Sequence, residues 1–157
     1  MRNSLRAYPR SRNELRGMAQ ELRKILGIQE QLYVNVIALL EHVLPKIKVN
    51  GKELNYEIVP DSSLSEMAKT YPEEGHIVIK ESVYCGAVRG CYVSRFTIMH
   101  EIAHYLLHKN QAISFARRFG EIKTYEDPEW QADAFAGEFL MPSNLIKGLS
   151  PGEISKR

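Results

Sequence analysis

Apolar residues in the first third of the chain recur at helical spacing. Leu15, Met18, Ala19, Leu22, Ile25 and Leu26 fall on one side of a helix, and Gly27 is placed to end it. Leu32, Val36, Leu39, Leu40 and Val43 make a second amphipathic run, stopped by Pro45. The pattern then turns to alternation. In KIKVNGKELNYEIVP, Asn50-Gly51 predicts a hairpin turn, and Leu54, Tyr56 and Ile58 share one face of the following strand. Residues 67–71 and 76–80 flank Pro72 to Gly75 and predict a second hairpin, with HIVIK its clearest strand. Helical spacing then returns. Ser94 is placed to cap a helix running to about His108, in which Phe96, Met99, Ala103 and Leu107 mostly share one side. Asp127-Pro128 opens a further helix, EWQADAFAGEFL, which ends before Met141-Pro142. Ser150-Pro151 has the form of one more helix start. Helices, then strands, then helices predict an α+β fold. The expected layout is a single domain over residues 1–157. Residues 1–45 form a helical part, 46–80 the β-hairpins and 94–142 the helices that carry chemistry.

Composition narrows the class without naming it. At 157 residues the chain can bury a core without disulfides or metals as staples. No apolar run approaches the roughly 20 residues that span a bilayer, so no membrane association is expected. The basic start, MRNSLRAYPRSRNEL, has no apolar stretch behind it and does not read as a secretory signal, which predicts a cytoplasmic protein. Residues 1–24 carry seven Arg and Lys against Glu14 and Glu21. With no aromatic or glycine interleaving, a solvated helix face is the expectation there, and direct nucleic-acid binding is not. Cys85 and Cys91 have a spacing that matches no common zinc knuckle, and reduced thiols are expected.

The chemistry sits in HEIAH, residues 100–104. A four-residue helical step rotates about 400° and rises about 6 Å. His100 and His104 therefore project from one face and can reach one zinc ion at about 2.0–2.1 Å each. Glu101 lies about 100° round from His100, beside the metal, where it can act as general base on water. The motif lies among Ile98, Met99, Ile102, Ala103, Leu106 and Leu107, so its helix should be largely buried. Burying two histidines and a glutamate requires something that satisfies them. A third ligand is available downstream. Glu129 opens a helix, and Asp133 lies one turn on along the same face, where it could fix a ligand histidine through its other ring nitrogen. Glu126, Asp127 and Glu138 are rivals for the third position. His108 lies about 12 Å along the axis from His100, which suits a capping or supporting role. His76 reads as an ordinary strand histidine that could reach a cleft, and His42 as a surface or packing residue. Arg95, Tyr92, Tyr105 and Tyr125 are open candidates for stabilising an oxyanion.

The stretches RFTIMHEIAHYLLH (95–108) and EWQADAFAGEFLMP (129–142), in this order and separation, resemble the ImmA/IrrE family of zinc metallopeptidases. VYCGAVRGCYVSRFT and SFARRFG are in keeping with it. The likeness is strong over residues 75–143 and weaker over the first 60. It implies a zincin-like domain with a small β-sheet beside the HExxH helix and a gluzincin-type ligand set. Zinc would be bound by His100, His104 and Glu129, Glu101 would be the catalytic base, and Asp133 would support a ligand. It also implies a protein substrate, commonly a helix-turn-helix repressor or regulator of a mobile element or stress response. Ala103 stands where many members have Gly. Members commonly continue past the LMP segment, whereas SPGEISKR ends this chain, so either the protein is naturally short or its C-terminus is truncated. The competing function is a non-catalytic, zinc-stabilised module that sequesters a regulator without cutting it.

Overall fold

The computed structural model describes residues 5–43, 46, 53–108, 114–115 and 123–146. The elements run β1 (Leu5–Arg6), α1 (Arg12–Ile25), α2 (Val36–Ala38), β2 (Asn55–Val59), β3 (Ala68–Tyr71), β4 (His76–Lys80), α3 (Glu81–Val88), α4 (Tyr92–His108), β5 (Ser114–Phe115), α5 (Pro128–Leu140) and α6 (Ser143–Ile146). The fold is α+β, as the order of patterns predicts.

Helix α1 starts at a capping box. The Ser11 hydroxyl accepts from the Glu14 amide at 3.1 Å, and the Glu14 carboxylate accepts from the Ser11 amide at 3.2 Å. Leu15, Ala19 and Arg23 are buried and Leu22 packs against the core, but Ile25 is 68% exposed. Gly27 follows at φ +73°, a left-handed value that favours glycine. The second amphipathic run begins later than its spacing predicts. Leu32 precedes the helix, Asn35 caps it by accepting from the Ala38 amide at 3.1 Å, and the turn widens to π geometry over Leu39–Val43.

The main sheet has the order β2-β4-β3. The second hairpin is present: β3 and β4 pair antiparallel from Ala68↔Ile79 to Tyr71↔His76, around a 3₁₀ turn at Pro72–Glu74. Strand β2 pairs with β4 in parallel, from Asn55↔His76 to Val59↔Lys80. The Asn50-Gly51 turn expected before it lies outside the described residues, as do most of SFARRFG and the start at Ser150-Pro151. Ile77 and Ile79 of β4 are fully buried and face the helices.

The core lies between that sheet and two long helices. Ile98, Met99, Ile102 and Ala103 of α4 meet Ala132, Phe135, Ala136 and Phe139 of α5 in one buried cluster. Helix α1 closes the other side of α5. Buried Arg23 donates to the Phe139 carbonyl at 2.5 Å, satisfying an orphan group near the α5 C-terminus, and also to the Gln31 carbonyl. Two features depart from expectation. Helix α3 is an element that the periodicity did not mark. Ser94 is not the cap of α4, which begins at Tyr92. Instead the Cys91 sulfur accepts from the backbone and hydroxyl of Ser94, which holds its thiol below the usual range. Ser94 packs over Gly86 of α3, where a Cβ would lie 2.2 Å from Ser94 Oγ. Among the described residues no helix is long and apolar enough to cross a membrane.

Candidate metal centre

Two helices build the site. Helix α4 carries His100, Glu101, His104 and His108 on neighbouring turns. The first turns of α5 carry Glu129 and Asp133, and the start of α5 is fixed locally. The Asp127 carboxylate accepts from the Glu129 amide at 3.0 Å, and Pro128 occupies the first helical position. Small residues at the contact, Ala103, Ala132 and Ala136, are fully buried and let the helices lie close.

His100 Nε2 lies 3.1 Å from Glu129 Oε1, and His104 Nε2 lies 3.1 Å from Glu129 Oε2. The two Nε2 atoms are themselves 3.1 Å apart. Donor atoms around a tetrahedral zinc at about 2.0–2.1 Å lie roughly 3.3–3.4 Å from one another. The three side chains thus already have nearly the spacing a small divalent cation needs. His100, His104 and Glu129 also form the one group of three candidate donors close enough to hold an ion among the described residues. Behind them, His100 Nδ1 lies 2.7 Å from Asp133 Oδ1, the arrangement that orients a ligand imidazole.

The charges are strongly coupled. Burial works against a charged His100, but the Glu129 hydrogen bond and the neighbouring carboxylates outweigh it and raise the ring above its usual value. Hydrogen bonds from His100 and His104 hold the Glu129 carboxyl far below the ordinary range. Protons shared between imidazole and carboxylate are what a metal displaces on binding. Burial raises Glu101, against an opposing hydrogen bond from Thr70. The Thr70 hydroxyl lies 2.6 Å from Glu101 Oε1, and the other oxygen, Oε2, lies 4.0 Å from His100 Nε2.

A cleft of about 590 Å³ opens onto this cluster, with Met67, Lys69, Thr70, Thr97 and Pro128 among its walls. Strand β3 forms one side of it and is an edge of the sheet. Sequence reasoning did not single out Thr70. Its one local signal is a polar residue in an otherwise ordinary edge strand.

The rivals and outliers find other places. Asp127 caps α5. Glu138 faces away and pairs with Arg12 and Arg16 at 3.0 and 3.1 Å. His108 is buried between His104 and Gln131. His76 lies 3.3 Å from Glu57 on the outer face of the sheet, and His42 is exposed. Cys85 and Cys91 are free and exposed. Arg95 is buried, donates to the Val34 carbonyl at 3.0 Å and lies 4.2 Å from the Tyr33 ring centre. It is engaged in holding that loop, and neither it nor Tyr92, Tyr105 or Tyr125 lines the cleft. Trp130 is partly buried against the core.

No curated protein is similar enough to the chain to count as a match. Residues 92–154 match the family described as IrrE N-terminal-like domain, Peptidase_M78. That segment carries both helices of the His100, His104 and Glu129 cluster, and over it the chain is similar to that family.

Proposed function

We propose that the chain is a zinc-dependent metallo-endopeptidase acting in the cytoplasm on a protein substrate. The substrate is a DNA-binding repressor or regulator of a mobile element or a stress response. The observation that carries the catalytic part is the convergence of three donor atoms at 3.1 Å spacing beside a buried glutamate. The regulator as substrate follows from the family likeness.

His100, His104 and Glu129 would hold the zinc, with Asp133 orienting His100. When bound, zinc supplies Lewis acidity, polarising a carbonyl and bringing the pKa of water down to about 7. Glu101 is the proton carrier. Thr70 fixes its Oε1, so Oε2 is free to take the proton of the attacking water and pass it to the leaving amine. Burial suits this role by raising Glu101 towards working pH. Strand β3 offers its outer edge to an extended peptide, whose backbone can pair with it along the cleft.

The test is Glu101→Gln beside the wild type, with metal content and substrate cleavage both measured. The variant should keep its zinc and lose cleavage by about 100-fold or more. Cleavage at the wild-type rate would sink the mechanism. A stable complex with an intact regulator, formed by the wild type, would favour the sequestering module instead. Glu101 argues against that module, because a purely structural site needs no base.

A further inference from the structure

His104 enters the cluster through Nε2, so its value as a ligand depends on which ring nitrogen carries its proton. Gln131 is fully buried. Its amide nitrogen donates to the Tyr8 carbonyl at 2.6 Å and to the Tyr125 carbonyl at 2.8 Å. Carbonyls only accept, so the amide cannot turn round without setting its own oxygen against two others. Gln131 Oε1 therefore faces His108 Nε2, 2.9 Å away, and that nitrogen must carry the proton. A neutral imidazole has one N–H, which leaves His108 Nδ1 an acceptor. It lies 2.9 Å from His104 Nδ1, which must then donate. A His104 proton is thereby placed on Nδ1, and its Nε2 faces His100 Nε2 and Glu129 Oε2, each 3.1 Å away.

We propose that Gln131 and His108 are positioning residues that hold a His104 proton on Nδ1, so that Nε2 is the nitrogen left for a metal to take over from Glu129 and His100. The inference rests on the reading of His100, His104 and Glu129 as metal ligands. The two ligand histidines are then prepared differently. Asp133 orients His100 with a carboxylate, whereas His104 is oriented by an uncharged chain anchored on two backbone carbonyls. The opposite tautomer of His104 would require His108 Nδ1 to donate, leaving a bare His108 Nε2 against Gln131 Oε1.

Long-range proton–nitrogen NMR spectra of the metal-free wild type read the tautomers directly. The expected result is His104 protonated on Nδ1 and His108 on Nε2. A His104 with Nδ1 unprotonated overturns the proposal, whether or not zinc binds. Zinc affinity, measured by chelator competition, gives the second reading. In His108→Gln an amide oxygen can still accept from His104 Nδ1, and affinity should stay within a few-fold of wild type. In His108→Phe no acceptor remains, and affinity should fall about 10- to 100-fold. Equal affinities for the two variants would also overturn it. Expected tautomers without zinc binding would sink the metal reading and leave the relay standing, so the two failures are distinct. The wild-type spectra decide the matter even if a variant fails to fold.

Discussion

Helix α5 presents acidic side chains at both ends, and the two ends live in different electrostatic company. Near its C-terminus Glu138 is 6% exposed and lies between the guanidinium groups of Arg12 and Arg16. Near its N-terminus Glu129 is half exposed and faces the imidazoles of His100 and His104, groups that can themselves take a metal. The first arrangement joins α1 to α5 permanently. The second leaves a carboxylate with replaceable partners, as a cation-binding site requires. Residue type alone does not separate the two ends, since both are glutamates on one helix. The charge opposite each does.

The largest effect should come from removing the carboxylate at the labile end. Glu129→Ala should take the metal content from about one ion per chain to near none, measured by elemental analysis after dialysis, with activity abolished. A fully loaded Glu129→Ala would mean that another acid is the ligand. Lower pH should act next, through the buried imidazole on the metal side. Burial holds His108 neutral down to about 4, against an ordinary 6.5. Its folded pKa is depressed, so its neutral form adds no penalty above 6.5, and stability is lost as pH falls through that window towards 4. The metal-free chain should lose about 2–3 kcal/mol this way. Urea midpoints of wild type and His108→Gln at neutral and acid pH would show it, and parallel slopes would refute it. Asp133→Ala comes third, weakening zinc binding about 10- to 100-fold by freeing His100 to rotate. An unchanged dissociation constant would remove Asp133 from the site. The smallest effect belongs to the fixed end. Glu138→Gln should lower stability by about 1–2 kcal/mol, because its arginine partners are partly solvated. Its metal content should stay at the wild-type level, and a loss of zinc there would erase the contrast between the two ends.

Much of this arrangement is legible in the sequence because it depends on local rules. Four-residue spacing puts His100 with His104 and Glu129 with Asp133, and Asp127-Pro128 marks where the second pair begins. The β3–β4 hairpin follows from alternation around Pro72 and Gly75. What periodicity cannot supply is the partner. The parallel pairing of β2 with β4 joins residues about twenty apart and leaves no local mark. Helix α3 is short and contains Gly86, a poor helix former, which is there because Ser94 packs against it. Thr70 and Gln131 are invisible for the same reason. Each is an unremarkable polar residue until folding sets it against Glu101 or His108.

The edge at β3, unpaired among the described residues, has a consequence for self-association. An open strand invites a second copy of the chain as readily as it invites a substrate. Here the strand has four residues, the half-exposed Lys69 lies on it beside Glu66, and Pro72 closes it. Those features deny a neighbouring molecule the long, flat register on which aggregates grow. A short peptide passing through the cleft needs only a few pairings, so the edge can stay open to a transient guest while the protein stays dispersed.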